Sequence, residues 1–347
     1  MMFCNKQNRL LLQFHITGKC NLRCKHCYRK EGDVERFSFR DIITVIEQFK
    51  SLLKRYNSNH RINKRGHINI TGGEPFFRSD IKEILSYLGD NKELFSYGIL
   101  SNGSFIDEEI IRILKETQVS FVQLSIDGTA EIHNQLRAPG DYQRVFSTAS
   151  YLESNGVRTY ISFTANKSNF HALPHVAREC RKRNITKLWS DRLVPIGNGE
   201  ALTELAITQN EIKKYIRFLK RAQGNFITKK LHPKTQVTMN RALQFIGSDG
   251  AIYSCSAGDS LITVDETGNI MPCRRMPVLC GNVFESTLEE VYYNSPVFQQ
   301  LRMEFIPTEC EKCKYTYLCR GGAKCQSYAV LGSFNHADPA CNIHHNA

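Results

Sequence analysis

Hydrophobic residues recur along the first two hundred positions in two alternating patterns. Short apolar, β-branched runs predict strands, and amphipathic stretches between them predict helices. The predicted strands are Leu10–Thr17, His67–Thr71, Phe95–Leu100, Phe121–Ile126, Arg158–Thr164 and Lys187–Val194. The predicted helices cover residues 39–55, 79–89, 107–117, 142–155 and 170–183.

This alternation predicts an α/β fold in which successive strands are parallel and are joined by right-handed crossovers. Six such units form a partial (β/α)6 TIM-like barrel with an open side. Ser38 with Asp41 is expected to cap the first helix, and Asp107 the third. A ligand site is expected at the carboxyl ends of the strands.

The pattern changes after Pro195. Thr208 and Glu211 form a capping box that predicts a helix to residue 222. The remainder is rich in cysteine, with a hairpin signal at residues 265–269 and one predicted helix at 286–303. We therefore divide the chain into a barrel at 8–200, a bridging helical region at 201–250 and a cysteine-rich domain at 251–345.

Composition narrows the function classes. The 347 residues are 41% hydrophobic, which is enough for one large domain or two ordinary ones. No stretch resembles a membrane span or a cleavable signal peptide, so a cytoplasmic protein without a membrane partner is expected. The net charge of +12 comes from scattered Lys and Arg residues, and no nucleic-acid partner is expected.

The thirteen cysteines are unevenly distributed. Without a signal peptide they favour metal or redox chemistry over disulfides. Three lie at Cys20, Cys24 and Cys27, and eight lie between residues 255 and 341, which predicts two separate cluster-binding regions. Cys180 is expected to pack in the core, and Cys4 is given no role.

The first cysteine group follows the first predicted strand directly. Three thiolates on one loop can hold three irons of a [4Fe–4S] cluster, which ordinarily has four cysteine ligands. A structural zinc site would need a fourth ligand. The spacing of Cys20, Cys24 and Cys27 resembles the CxxxCxxC motif of radical S-adenosylmethionine (SAM) enzymes, in which SAM binds the open iron through its amino and carboxylate groups.

Later segments resemble the same family in the same order. Gly72-Gly73-Glu74-Pro75 resembles its GGEP motif, with Glu74 expected to accept a hydrogen bond from the SAM ammonium. The alternative interpretation is that these residues have structural roles only. They would then form turns or end strands, and Arg137 would form a salt bridge. The SAM-contact residues implied by the resemblance are His26, Tyr28, Gly72, Gly73, Glu74, Pro75, Ser101, Asn102, Ser125, Arg137 and Leu193.

The second cysteine group resembles the SPASM domain, which carries auxiliary iron–sulfur clusters in many peptide-modifying radical SAM enzymes. The resemblance assigns one auxiliary cluster to Cys310, Cys313, Cys319 and Cys341, and another to Cys255, Cys273 and Cys325. Where the family often has a cysteine this chain has Ala323, so the second cluster is expected to be incompletely ligated, smaller or open to substrate.

Cys280 is either an extra ligand or a buried thiol. Zinc knuckles are the alternative for this region.

The resemblance implies that an electron from a low-potential donor cleaves SAM to a 5′-deoxyadenosyl radical, which removes hydrogen from a substrate. The leading hypothesis is a maturase of the RiPP (ribosomally made, modified peptide) type that oxidises or cross-links a peptide or protein side chain, with or without a separate recognition protein. The alternatives are oxidation of a small molecule such as a tetrapyrrole, or a non-catalytic iron–sulfur electron-transfer protein. Asp127 and Asp191 are expected near the site without an assigned role.

Overall fold

Consecutive parallel strands form the centre of the structure. The computed structural model describes residues 9–30, 32–247, 252–303 and 305–343, and Cys4 lies outside these ranges. The strands are β1 (Leu11–Thr17), β2 (Gly66–Gly72), β3 (Phe95–Leu100), β4 (Val122–Ser125), β5 (Thr159–Ala165), β6 (Lys187–Arg192), β7 (Gln236–Thr238), β8 (Leu261–Val264), β9 (Asn269–Met271) and β10 (Gly281–Asn282).

Helices connect these strands and cover one face of the sheet. They are α1 (Phe39–Asn59), α2 (Ile81–Asp90), α3 (Glu108–Glu116), α4 (Ala130–Leu136), α5 (Asp141–Ser154), α6 (Leu173–Lys182), α7 (Gln209–Gln223), α8 (Phe226–Leu231), α9 (Leu288–Asn294), α10 (Pro296–Arg302), α11 (Thr316–Cys319) and α12 (Lys324–Leu331). In the described segments, no helix combines the length and the apolar character that a membrane span requires.

The strand order is β10-β9-β8-β1-β2-β3-β4-β5-β6-β7 in one ten-stranded sheet. Strands β1 to β6 pair in parallel, and β1 does not pair with β6, so the barrel is open. The predicted α/β class and partial barrel are therefore confirmed. The hairpin predicted at residues 265–269 joins the antiparallel strands β8 and β9.

Both edges of the barrel sheet are extended by later parts of the chain. β7 pairs in parallel with β6, and β8 pairs in parallel with β1. The bridging region is therefore not purely helical as predicted. Because β7 has only three residues, it is too short for an alternation of apolar and polar residues to identify it in the sequence.

The predicted helix starts agree with the observed caps. Ser38 and Asp41 form a capping box on α1, and Thr208 and Glu211 form one on α7. Asp107 Oδ1 accepts a hydrogen bond of 2.8 Å from the backbone of α3. These caps satisfy amide groups that have no acceptor within their own helix.

The single helix predicted at 286–303 is wrong, because α9 and α10 are separate helices. Ser295 between them has φ −64° and ψ 127°, an extended conformation, and Pro296 begins α10. Proline lacks an amide hydrogen and disfavours a helical conformation at the preceding residue. The short helix α4 was not predicted.

Side chains along β1 alternate between two different environments. Leu12 and Phe14 are fully buried in the main hydrophobic cluster, which also contains the buried faces of α1 and α2. Gln13 lies between them and lines a cavity inside the barrel, as do His67 and Asn69 of β2. The core therefore lies between sheet and helices, and the inner face of the barrel is polar.

A buried ion pair ties the cysteine-rich domain to the end of β6. Arg192 donates to both carboxylate oxygens of Asp338 over 2.8 and 2.5 Å, and both side chains are buried. Asp338 also accepts from the backbone amides of Ala323 and Ala340. Removing one partner of such a pair costs about 3–5 kcal/mol because the other charge stays buried and unpaired, so both residues are needed where the two parts of the chain meet.

Candidate active site at the carboxyl ends of the strands

The loop after β1, residues 18–30, carries the first three cysteines and contains no helix or strand. Neighbouring segments hold it by backbone hydrogen bonds. The amide of Glu74 donates to the carbonyl of Lys19 over 2.8 Å, and that of Lys25 to Leu136 over 3.0 Å. On the other side, the amide of Gly199 donates to Cys27 over 3.1 Å. Three separate elements thus fix the loop.

Gly72 and Gly73 lie where β2 approaches this loop most closely. A Cβ atom at Gly73 would lie 2.1 Å from the carbonyl oxygen of Lys19, and one at Gly72 would lie 2.2 Å from that of Thr17. Gly72 also has φ +136°, which favours glycine. A side chain at either position would push the cysteine loop away from β2, so the glycines are required for loop packing.

Glu74 joins the end of β2 to the end of β3. Its carboxylate accepts hydrogen bonds from Ser101 Oγ over 2.8 Å, from the Asn102 amide over 2.7 Å and from the Phe76 amide over 3.2 Å. Burial raises the pKa of Glu74 to about 7, although these hydrogen bonds oppose the shift. Glu74 and Pro75 lie beneath the cavity rather than on its wall, and their predicted SAM contacts stay predictions.

A cavity of about 1360 Å³, counted to its open mouth, lies at the carboxyl ends of the strands. Cys20, Cys24 and Cys27 all line it. The other predicted SAM-contact residues also line it, namely His26, Tyr28, Gly72, Gly73, Ser101, Asn102, Ser125, Arg137 and Leu193. The structure thus brings together, around one space, residues that are far apart in the sequence.

The thiols of the loop lie in a setting that suits an iron–sulfur cluster. Burial raises the pKa of Cys24 to about 11, although the Arg137 guanidinium lowers it, and burial also raises that of Cys20. Arg137 Nη1 donates to Cys24 Sγ over 3.8 Å, and Asn102 Nδ2 donates to Cys20 Sγ over 3.9 Å. Such thiols become thiolates when a metal replaces their protons.

The zinc alternative has less support. A mononuclear zinc site needs four ligands at about 2.0–2.3 Å from one centre. Three thiols without a fourth ligand instead fit a cluster with one open iron.

Asp127, after β4, is a fully buried anchor for the site. Its Oδ2 accepts from Arg137 Nε over 2.7 Å and lies 3.2 Å from His26 Nε2, and its Oδ1 accepts from the Thr164 amide over 2.8 Å. Burial opposes ionisation, but the charges of Arg137 and His26 outweigh it and hold the pKa of Asp127 well below its usual range. Asp127 therefore positions two of the predicted SAM-contact residues.

Two arginines of the C-terminal domain also face the site, and sequence reasoning missed them. The Arg274 guanidinium lies 5.3 Å from the centre of the Tyr28 ring. Arg275 Nη1 forms a salt bridge of 2.8 Å with Asp191 at the end of β6. The available signal was the Arg-Arg pair directly after Cys273.

Glu266 was also missed as a link between the two parts of the chain. From the β8–β9 turn, it accepts from Arg29 Nε over 2.8 Å and lies 3.2 Å from Nδ1 of the buried His15. Although burial opposes ionisation, His15 and Arg29 lower the pKa of Glu266 to about 2. This contact holds the turn against β1 and the cysteine loop.

The cysteines of the C-terminal domain line two different cavities, and their assignment as cluster ligands stays a prediction. Cys310, Cys313, Cys319 and Cys341 line one small enclosed cavity. The second group, Cys255, Cys273 and Cys325, lines the large cavity inside the barrel. Burial raises the pKa of Cys310 to about 11 and that of Cys319 to about 12.

The remaining described cysteines pack elsewhere. Cys180 is fully buried in α6 and belongs to the main core, as expected. Cys280 donates to the carbonyl of Val278 over 3.3 Å and packs against the same core. The structure thus gives Cys280 a packing role.

Lys324 lies between the two C-terminal thiol groups. Its ammonium is buried without a hydrogen-bond partner, and its backbone amide donates to Cys255. Burial lowers the pKa of Lys324, while the charges of Cys255, Cys310 and Cys319 favour the protonated form. A buried cation without a counter-ion is costly unless negative charge lies nearby.

The sequence profile of the radical SAM superfamily matches residues 14–181, and that of the SPASM iron–sulfur cluster-binding domain matches residues 241–315. The chain is 25% identical to an AdoMet-dependent heme synthase of Nitratidesulfovibrio vulgaris, over 96% of this chain and 92% of that protein. It is 26% identical to the mycofactocin maturase MftC of Mycobacterium ulcerans, over 96% and 87%.

A solved structure shares the fold. Streptococcus suis SuiB bound to the precursor peptide SuiA superposes with a TM-score of 0.72 at 16% identity, over 96% of this chain and 76% of that chain. At this identity the similarity concerns the fold alone.

The Asp127→Asn substitution tests the anchor. We expect it to lower the free energy of unfolding by about 3–5 kcal/mol at pH 7, because Arg137 stays buried without its counter-ion. The depressed pKa of Asp127 makes this stabilisation fully present above pH ~4 and lost as the pH falls further. Urea denaturation followed by circular dichroism gives the difference.

The matched control is Glu289→Gln, which breaks a partly exposed pair with Arg55. It should change stability by only about 0–1 kcal/mol. Equal free energies of unfolding for the Asp127 variant and the wild type would contradict the anchoring role of Asp127.

The Lys324→Met substitution tests the buried ammonium. Reducing a cluster adds negative charge that a nearby cation stabilises, so removing the cation should lower the auxiliary-cluster potentials by on the order of tens of millivolts. EPR-monitored redox titration measures this shift in a Cys20/Cys24/Cys27→Ala background. Lys213→Met, at an exposed lysine of α7, is the control; equal potentials for both variants would contradict the assignment.

Proposed function

The chain belongs to the radical SAM superfamily and carries a carboxy-terminal SPASM domain, and from this premise we propose that it oxidatively modifies a peptide or protein side chain. Cys20, Cys24 and Cys27 would hold the SAM-binding [4Fe–4S] cluster. With SAM bound and an electron from a low-potential donor, that cluster supplies a 5′-deoxyadenosyl radical that removes hydrogen from the substrate.

One observation carries this proposal, namely that two cavities meet inside the barrel. The cavity at the cysteine loop and the cavity inside the barrel share the lining residues Leu100, Gln123, Trp189, Arg274 and Arg275. A substrate at this junction would lie between the SAM site and the thiols of Cys255, Cys273 and Cys325. That position supports hydrogen removal on one side and electron acceptance on the other.

Residues of the chain orient and shield this chemistry. Arg137, Ser125 and Asn102 line the cavity with polar groups suited to the carboxylate, ribose and amino groups of SAM. The C-terminal domain closes the cavity with Arg274 and Arg275, which reduces access of water to the reacting atoms. The protein thus contributes by positioning SAM and the substrate and by keeping water from the reacting atoms.

The auxiliary centre inside the barrel has two candidate tasks. Within the described segments, three thiols line this cavity, and Ala323 stands where the family often has a cysteine. If the three thiols leave one iron open, a substrate thiol can bind there and be held in position. If the centre is fully ligated, it would accept one electron from the substrate radical that remains after hydrogen removal.

A peptide substrate has structural support in the open lower end of the barrel. Arg9 and Arg158, at the amino-terminal ends of their strands, line the inner cavity, and Arg158 is exposed, so the cavity reaches solvent there. The structural neighbour SuiB was solved with a precursor peptide. A separate recognition protein and a cytoplasmic location are part of the proposal.

Oxidation of a small molecule such as a tetrapyrrole is the second candidate. The inner cavity is large, about 2320 Å³ counted to its mouth, and Phe121, Tyr160 and Trp189 line it with aromatic rings. The heme synthase relative matches this chain over nearly its whole length. A planar, largely apolar ligand is therefore compatible with the same site.

The proposal is tested by SAM cleavage under anaerobic conditions. Reconstituted wild type with dithionite and SAM should yield 5′-deoxyadenosine and methionine, measured by liquid chromatography with mass spectrometry. The Cys20/Cys24/Cys27→Ala variant should yield neither while keeping its C-terminal iron. Cys180→Ala, in the core, is the control that retains cleavage.

If wild type with a full iron content never cleaves SAM, the enzymatic proposal is wrong. The remaining alternative is then a non-catalytic iron–sulfur electron-transfer protein. If cleavage occurs, a rise in 5′-deoxyadenosine yield with peptides or with tetrapyrroles separates the first two candidates.

A further inference from the structure

The cavity inside the barrel is lined by many more cations than carboxylates. Its only lining carboxylate in the described residues is Asp259. The lining cations are Arg9, Arg158, Lys187, Arg241, Arg274 and Arg275. A cleft walled by charges of one sign concentrates ligands of the opposite sign.

Most of these cations form no salt bridge with a carboxylate within the described segments. Arg275 is paired with Asp191, but Arg158, Lys187, Arg241 and Arg274 form no salt bridge among the described residues. The Nε atoms of Arg241 and Arg274 are also buried without a hydrogen-bond acceptor. Such buried donors need an acceptor, which a bound water or an anionic ligand can supply.

The cations also destabilise one another. Burial lowers the pKa of Lys187, and the neighbouring charge of Arg241 lowers it further. An anionic group bound near Lys187 and Arg241 would reduce the repulsion between these two cations.

The positions of the cations indicate several separate anionic groups rather than one. Arg158 and Lys187 stand at the amino-terminal ends of β5 and β6, whereas Arg274 follows β9 and contacts Tyr28 of the cysteine loop. Aromatic rings lie between them, with Lys187 4.6 Å from the Tyr160 centroid and Arg241 4.4 Å from the Trp189 ring. The lining thus alternates charge with apolar surface.

We infer that the substrate is a polycarboxylate with an apolar or aromatic body, held by Lys187, Arg241 and Arg274 inside the barrel. This rests on the proposed function, because the bound carboxylates place the body at the junction of the two cavities. Arginine binds carboxylates through paired hydrogen bonds, which fixes orientation as well as affinity. An acidic peptide segment and a propionate-bearing tetrapyrrole share this chemistry.

The test compares charged and neutral forms of the same ligand on the reconstituted full chain with SAM, under anaerobic conditions. One arm uses a dye-labelled, glutamate-rich Gly-Ser peptide and the same peptide with Gln at every Glu position. The other arm uses coproporphyrin III and its methyl ester. Fluorescence anisotropy gives the affinities, and quenching of Trp189, the single tryptophan, reports binding inside the barrel.

We expect at least one acidic ligand to bind about tenfold or more tightly than its neutral form. Lys187→Gln/Arg241→Gln should abolish this preference, whereas the charge-conserving Lys187→Arg/Arg241→Lys should keep it. Lys213→Gln/Lys214→Gln, on the exposed face of α7, is the control that binds like wild type.

Each outcome decides between alternatives. Preference for the acidic peptide or for the free porphyrin acid identifies the source of the carboxylates. If wild type cleaves SAM but neither acid binds more tightly than its neutral form, this inference is overturned while the proposed function stands. The same holds if the Gln variant keeps the preference.

Discussion

A loop without regular secondary structure has to present three thiols to one point, and the rest of the site depends on how it is held. Backbone hydrogen bonds from Glu74 and Gly199 fix its two ends, and Asp127 fixes its middle through His26 and Arg137. The close approach of β2 requires glycine at Gly72 and Gly73, because a Cβ there would meet the backbone of Thr17 at the end of β1 or of Lys19 in the loop. The motif residues are therefore the supports of the loop as well as candidate cofactor contacts.

The two faces of the barrel strands have different roles. The outer face packs against the helices and stabilises the fold, and the inner face lines the cavity of the candidate site. Apolar residues such as Leu12 and Phe14 pack against the helices, and alternate residues such as Gln13 turn inward. Because hydrophobic burial is completed outside the barrel, the interior is free to be polar and cationic. The C-terminal domain then adds thiols and arginines to this interior, and the buried Arg192–Asp338 pair holds that domain in place.

Sequence patterns predicted the parts of this architecture that rest on local signals. Strand–helix alternation predicted β1 to β6, and the close spacing of Cys20, Cys24 and Cys27 predicted the first thiol group. The two C-terminal groups were implied by the resemblance to the SPASM domain, because their members are spread over residues 255–341. Pairings between distant segments carry no such signal, so β8 beside β1 and Glu266 beside Arg29 were not predicted. The break at Pro296 and the inward polar positions of β1 were visible in the sequence and were overlooked.

The central claim is that the loop of Cys20, Cys24 and Cys27 holds a cluster with one iron open to SAM. The most direct measurement is the EPR spectrum of the reduced protein with and without SAM labelled with ¹⁵N or ¹⁷O, including nuclear couplings. The account predicts that SAM changes the signal of one cluster and that the labelled amino and carboxylate groups couple to it. Spectra unaffected by SAM, or zinc at these cysteines, would contradict the claim.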